Sequence, residues 1–255
     1  MGLLFNSAKV VTVREPVHSD VPELNNAQLA AVYYGERVGG DLYDFLRVTP
    51  DRVLFGMLDV AGRVEDNQQI VSSAQQTFRS VGAALFKRAE INEADAMIEL
   101  CLELNRTILQ AEGGGVRSCP AFAACYNETL GTLCYFNAGH TPGLLRDEVG
   151  VTELKATGLP LGLFSHTTCD APMAALPPGA ALLLVSRGVV EGKFKGEEYG
   201  LDRVKECLTQ ERSATAQEVC TCVLDDVQRY TPPAHNDMTA LALLRDAQAK
   251  LMEVQ

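Results

Sequence analysis

Residues 38–62 read VGGDLYDFLRVTPDRVLFGMLDVAG and contain two apolar runs, each next to an acidic residue in a glycine-containing turn. The runs at 42–48 and 52–60 have the composition of strands, and Pro50-Asp51 between them is a turn signal. The stretch therefore predicts a β-hairpin, with Asp41 and Asp59 where its strands meet the glycine-containing turns.

A helix is predicted after the hairpin, because apolar residues recur there at helical spacing, at Ile70, Ala74, Phe78, Val81 and Leu85. A second helix is predicted to begin at Asn92, a favourable N-cap with Asp95 three residues on, as in a capping box. The glycines at 113–115 are predicted to end it.

Strands dominate the rest of the chain. Segments with strand character are 29–34, 121–126, 132–137, 143–146, 151–155, 180–186 and 238–244, and helical segments are 201–208 and 215–230. Strands and helices come in runs and do not alternate, which favours an α+β fold with mainly antiparallel sheets. We expect a lead-in over residues 1–28, one domain over 29–245 and a polar, helix-prone tail over 246–255.

Composition narrows the class of protein. The chain has 255 residues and a net charge of −11, with 47% hydrophobic and 22% charged residues, as in a globular protein. An acidic protein repels phosphate backbones and anionic lipids, which argues against nucleic acid and membrane surfaces as partners. The longest strongly apolar stretch, residues 180–185, is far shorter than the ~20 residues that span a bilayer. We expect a cytoplasmic protein.

Eight cysteines raise the question of a metal site or disulfides. No Cys-x-x-Cys occurs, and the single pair at ligand spacing, His166 with Cys169, cannot complete a tetrahedral zinc site. We expect reduced thiols packed as small apolar side chains.

Further turns rich in glycine and polar residues follow in a fixed order. They are NAGH (137–140), TGLPLG (157–162), SRGVVE (186–191), GEEYG (196–200) and NDMT (236–239). Together with the turns at Asp41 and Asp59, this series resembles the PPM-type (protein phosphatase 2C-like) phosphatases, in the bacterial branch named after SpoIIE and RsbU. The resemblance covers about residues 30–245. It implies a four-layer αββα sandwich of two mainly antiparallel sheets flanked by helices.

The family reaction is hydrolysis of phosphoserine or phosphothreonine by a water that bridges two Mg²⁺ or Mn²⁺ ions. Such hard cations prefer oxygen ligands, so carboxylates from several strand ends must converge. The resemblance implies that Asp41, Asp59 and the backbone carbonyl of Val60 are metal ligands, with Asp237 as a further candidate.

Two ligand positions depart from the family pattern. Arg187 stands where the resemblance places the third carboxylate, and Asn236 stands where it places the fourth. The turn after Asp59 is also altered, with Arg63 inside it. Residues 65–69 replace the small-residue helix start, and they are a candidate surface for regulation, with plain solvent exposure as the alternative. We therefore expect at most one tightly held Mn²⁺ or Mg²⁺.

Arg187 is predicted to turn inward, pair with Asp59 and act as a surrogate cation; the alternative is a side chain that points to solvent. Arg37 is a weak candidate for contacting a substrate phosphate, and a solvated charge is the alternative. His140 is predicted to be structural, and Asp44 to be a hydrogen-bonding turn residue.

Two hypotheses remain for the function. One is a metal-dependent serine/threonine phosphatase of a bacterial partner-switching pathway, with weakened activity. The other, favoured here, is a pseudophosphatase that recognises a regulatory protein without catalysis. The resemblance implies a phosphoprotein partner such as an anti-sigma-factor antagonist, or a related kinase.

Overall fold

A computed structural model describes residues 20–35, 41–60, 64–88, 90–111, 118–210, 215–231 and 237–248, and the side chains of these residues except 64–66. The strands are Ala27–Tyr34 (β1), Leu42–Thr49 (β2), Arg52–Leu58 (β3), Ala121–Asn127 (β4), Thr132–Ala138 (β5), Gly143–Arg146 (β6), Val151–Leu154 (β7), Met173–Ala175 (β8), Ala181–Val185 (β9), Lys193–Phe194 (β10), Glu197–Glu198 (β11) and Met238–Arg245 (β12). The helices are Val64–Phe86 (α1), Glu93–Gln110 (α2), Arg187–Val190 (α3), Gly200–Gln210 (α4) and Ala216–Tyr230 (α5).

Two five-stranded antiparallel sheets form the centre of the fold. One has the strand order β2-β3-β4-β5-β8 and begins with the predicted hairpin. The other has the order β1-β12-β9-β6-β7, so the first and last described strands pair along their whole length. The short strands β10 and β11 form a separate hairpin.

Three apolar cores separate four layers. One core lies between the two sheets and includes Phe55, Tyr126 and Leu241. A second joins α1 and α2 to the β2–β8 sheet, and a third joins α4 and α5 to the β1–β7 sheet. The prediction of an α+β, four-layer αββα sandwich is confirmed.

Local signals placed the longer elements well. Asn92 caps α2, and its side chain accepts hydrogen bonds from the N–H groups of Ala94 and Asp95. At α5, Thr215 and Glu218 form a full capping box. The strand predicted from residue 29 begins two residues earlier, at Ala27, inside the segment predicted as a lead-in.

Three kinds of element were not predicted: the three-residue strand β8, the β10-β11 hairpin and the one-turn helix α3. The two- and three-residue strands are too short to show an alternating apolar pattern, and the four residues of α3 are too few to show a helical one. The glycines at 113–115 and residues 249–255 of the predicted tail lie outside the described residues. Within the described part of the chain, no helix has the length and apolar character needed to cross a membrane.

Candidate functional site

The two acidic turns of the predicted hairpin lie at one edge of their sheet. Asp41 directly precedes β2 and Asp59 directly follows β3. Leu42 and Leu58 are register partners, so the two acids flank the last pair of the antiparallel ladder. The N–H of Asp59 donates to the carbonyl of Pro120 at 2.9 Å, which fixes the backbone at this point.

The opposite sheet brings two more segments to the same edge. Ser186 directly follows β9, and Asp237 directly precedes β12. The Ser186 and Thr239 backbones are linked by a 2.9 Å hydrogen bond from the serine N–H, and the Thr239 N–H donates to the Ser186 hydroxyl at 3.0 Å. Thr239 Oγ1 then donates to Asp41 Oδ2 at 2.9 Å, a contact between the two sheets.

The pKa of Asp41 reflects the approach of these segments to one another. Burial, together with the charges of Asp59 and Asp237, raises the pKa of its carboxyl to about 6, against hydrogen bonds from Thr239 and Ser186 that lower it. Three acidic side chains therefore share one region of negative potential. Such a region stabilises a bound cation.

The positively charged side chain of Arg187 lies beside these acidic residues. Its Nε lies 3.5 Å from Asp59 Oδ2 and 3.7 Å from Glu191 Oε1. The predicted pairing of Arg187 with Asp59 is therefore confirmed. The side chain is nevertheless 49% exposed, because it bridges the buried carboxylate of Asp59 and the more exposed one of Glu191.

The carbonyl of Val60 already has a protein donor. Asn67 is fully buried and its Nδ2 donates to this carbonyl at 3.2 Å. The prediction of a regulatory surface at residues 65–69 is wrong for Asn67, whose amide turns inward to the backbone of the site. Gln68 and Gln69 are half-buried, and the side chains of residues 65 and 66 are outside the described part.

The side chain of Asp237 forms a hydrogen bond with a residue of β1. The hydroxyl of Tyr33 donates to its Oδ1. Its backbone is in close contact with α3, since a Cβ added to Gly188 would lie 2.0 Å from the Asp237 carbonyl oxygen. The glycine after Arg187 is therefore required for β12 and α3 to approach each other at the site.

His140 is buried close to the same cluster. Its Nδ1 lies 3.0 Å from the carbonyl of Thr141, and its backbone N–H donates a hydrogen bond to Asn137 Oδ1 at 2.8 Å. Burial lowers the pKa of its imidazole, an effect partly opposed by the Thr141 carbonyl and by the charge of Asp59. These contacts support the prediction that His140 is structural.

Acid is expected to destabilise the fold through His140. Below the ordinary pKa of 6.5, the unfolded chain takes up a proton that the buried ring of the folded chain does not. Stability should therefore fall as the pH drops below 6.5, with a limiting slope of about 1.4 kcal/mol per pH unit from this residue. Urea unfolding in EDTA between about pH 7.5 and 5 measures the slope.

Two variants isolate this contribution. His140→Asn should lose it, whereas His166→Asn should keep the wild-type slope because His166 is exposed. Asp41 acts in the opposite sense, since its raised pKa of about 6 makes protonation favour the folded state, but it does so in all three proteins. Equal slopes for His140→Asn and the wild type would contradict the assignment.

The interpretation of Asp44 as a turn residue is wrong. It lies within β2, is 3% exposed and forms an ion pair with Arg79 of α1, with Arg79 Nε 2.8 Å from its Oδ2. The pair joins α1 to the sheet. A partner 35 residues away leaves no local signal, so the sequence pattern could not indicate it.

Two of the candidate residues, Arg37 and Asn236, lie outside the described residues, as does Arg63. Among the residues that are described, no group of three or more His, Cys, Asp or Glu is arranged to hold a metal ion.

Sequence reasoning did not identify Thr239, Asn67 and Glu191 as parts of the site. Thr239 and Glu191 had a signal, because they belong to the quoted NDMT and SRGVVE turns.

Known proteins resemble this chain in sequence and in fold. The family model for Stage II sporulation protein E (SpoIIE) matches residues 49–246, so the chain belongs to the SpoIIE family, within the PPM phosphatases. The phosphoserine phosphatase RsbP of Bacillus subtilis is 24% identical over 184 residues, which are 71% of this chain and 42% of RsbP. The chain spans less than half the length of the curated relatives that it matches.

Solved structures share the fold. The RsbU and RsbW domains of Rv1364c from Mycobacterium tuberculosis match with a TM-score of 0.75 and 24% identity, over 91% of this chain and 64% of that one. The PP2C phosphatase domain of SpoIIE from Bacillus subtilis matches with a TM-score of 0.70 and 16% identity, over 86% and 63% of the two chains. The predicted family is confirmed. PPM phosphatases typically use Mg²⁺ or Mn²⁺.

Proposed function

We propose that this chain is a regulatory phosphoprotein-binding domain of a partner-switching pathway, a pseudophosphatase that recognises its partner without catalysis. The observation that carries the proposal is the 3.5 Å ion pair between Arg187 Nε and Asp59 Oδ2. Arg187 stands where the family pattern has a metal-binding carboxylate. A guanidinium therefore neutralises Asp59 from the side on which a second ion would bind.

The electrostatic cost of adding that second ion is large. At ~4 Å and an effective dielectric near 20, a unit charge beside a divalent ion costs on the order of 8 kcal/mol, twice the figure for two unit charges. Arg187 also removes a carboxylate ligand, and Asn236 replaces another with a neutral amide. Both changes act against a two-ion centre.

The remaining oxygen donors would hold at most one hard divalent ion, since no three acidic side chains in the described part of the chain are arranged to hold one together. Asp41 and Asp59 would hold Mn²⁺ or Mg²⁺, with Asp237 as a further candidate, because burial and the neighbouring charges of Asp59 and Asp237 raise the pKa of Asp41, and a bound cation would offset both effects. The Val60 carbonyl is a weaker candidate, since one of its lone pairs accepts the Asn67 amide. A bound ion would supply an activated water and charge stabilisation.

This surplus of negative charge at Asp41 favours a second candidate function, a weak metal-dependent phosphatase. The two candidates differ in turnover. Under the favoured proposal, p-nitrophenyl phosphate hydrolysis in excess Mn²⁺ should not exceed that of the Asp59→Asn variant, because the catalytic centre is incomplete. Clear turnover that EDTA abolishes, and that Asp59→Asn lacks, would establish the phosphatase instead.

The partner we propose is a regulatory protein carrying phosphoserine or phosphothreonine, such as an anti-sigma-factor antagonist, or a kinase of the same pathway. The support is family membership together with the relatives, one of which is called a phosphoserine phosphatase and another of which joins RsbU and RsbW domains in one chain. Arg37 remains a candidate for contacting the phosphate.

A further inference from the structure

Two thiols on neighbouring helices lie in contact on the face of the molecule formed by α4 and α5. Cys207 of α4 and Cys222 of α5 have their Sγ atoms 3.3 Å apart. Both residues are half-buried, and both line a groove of about 370 Å³ between the two helices. A reagent in solution can therefore reach them.

We propose that Cys207 and Cys222 are an oxidation site that forms an intramolecular disulfide and links α4 to α5. A disulfide has an S–S distance of about 2.05 Å, so the sulfurs must approach by roughly 1.2 Å. The helices are already held together near the pair, because Tyr199 OH donates to Asp226 Oδ2 of α5 at 2.6 Å. The Arg203 guanidinium of α4 also stacks 4.3 Å from the Tyr230 ring.

Another pair of neighbouring thiols provides a contrast within the same chain. Cys125 and Cys134 are directly opposite each other on β4 and β5, yet both are fully buried. Burial raises the pKa of the Cys134 thiol to about 12 and that of Cys125 well above its usual range, so neither is a thiolate near neutral pH. Proximity alone therefore does not make them reactive.

The chemistry needs a two-electron oxidant of the peroxide class. The thiolate of one cysteine attacks a peroxide oxygen, so an S–O bond forms, the O–O bond breaks and the released hydroxide becomes water. The second thiolate attacks the sulfenic sulfur, the S–S bond forms, and the S–O bond breaks to release a second water. Two thiols and one hydrogen peroxide give one disulfide and two waters.

The test treats the full chain with a small molar excess of hydrogen peroxide. The expected product is a monomer that has lost two hydrogen atoms and two of its eight titratable thiols, with one cross-linked peptide pair containing Cys207 and Cys222. Closing this short loop should raise Tm by about 6 °C, and dithiothreitol should reverse the shift. Intermolecular disulfides, or an unchanged Tm in the oxidised monomer, would overturn the proposal.

Variants locate the bond independently of peptide mapping. Cys207→Ser and Cys222→Ser should each prevent the loss of two thiols; both side chains are only partly buried, and of the two Cys207 packs against the core beneath α4 and α5. Cys220→Ala is the matched control, since Cys220 lies on the same helix but is buried, and it should still form the disulfide. Loss of two thiols in Cys207→Ser would place the bond elsewhere and refute the inference.

Discussion

Replacing both Arg187 and Asn236 with aspartate is expected to raise Mn²⁺-dependent phosphatase activity at least about tenfold above the wild type. The two changes add two negative charges and remove one positive charge, that of Arg187 beside Asp59. They restore the carboxylates that the family pattern has at these positions. A tenfold gain corresponds to ~1.4 kcal/mol of barrier, which is small beside the ~8 kcal/mol for a unit charge and a divalent ion at ~4 Å, and it allows for solvent screening of the 49% exposed Arg187 side chain.

The single variants are the controls for this result. Asn236→Asp alone should do little, because Arg187 still opposes the cation, and Arg187→Asp alone should give a partial gain. Without metal, the double variant should lose stability, since Asp59 then faces new like charges. Added Mn²⁺ should raise its Tm more than it raises that of the wild type.

A double variant that folds but shows neither Mn²⁺-dependent stabilisation nor increased turnover would contradict the account of Arg187 as a surrogate cation. The cause of lost activity would then lie elsewhere in the site. The altered turn at Arg63, after Asp59, would be the next candidate.

Gly188→Ala is expected to lower the free energy of unfolding by about 3 kcal/mol and Tm by about 8 °C. The added Cβ would lie 2.0 Å from the carbonyl oxygen of Asp237, which is backbone and has no rotamer to change. Either α3 or the start of β12 must move. Movement of α3 would carry Arg187 away from Asp59, so the variant changes the site as well as the stability.

Gly82→Ala is the matched control in thermal unfolding. Its Cβ would meet the Leu54 Cδ1 atom at 2.7 Å, and that atom is the end of a flexible side chain. Alanine is also favoured over glycine inside α1 by up to about 1 kcal/mol, which offsets the repacking. A Tm for Gly188→Ala within about 2 °C of the wild type would show that α3 and β12 accommodate the methyl group.

Long elements with strong local signals were predictable. The apolar stripe of α1, the N-cap Asn92 and the turn at Pro50-Asp51 act over a few residues, and the structure has the corresponding helices and hairpin. The errors fell where distant segments meet. Asp44 was interpreted as a turn residue because its partner Arg79 reaches it only when α1 packs on the sheet.

In the candidate site, too, some features were predictable from the sequence and others were not. Asp41, Asp59 and Arg187 could be named from the order of the motifs, and the pairing of Arg187 with Asp59 followed from opposite charge at adjacent family positions. The Asn67 amide on the Val60 carbonyl and the bond from Thr239 to Asp41 could not be foreseen. Each of these two hydrogen bonds depends on how a helix or the second sheet packs against the strand ends that carry Asp41 and Asp59.

The sequence by itself determined the family and the layer architecture, and it predicted the loss of two metal-binding carboxylates, because these follow from residue type and motif order along the chain. Tertiary structure alone decided which charges and thiols act on one another. Asp41 and Thr239 are 198 residues apart, and which two of the eight cysteines lie in contact at the surface depends on how α4 packs against α5. Electrostatic and covalent chemistry depends on distances of a few ångströms, and only the packing of sheets and helices sets those distances.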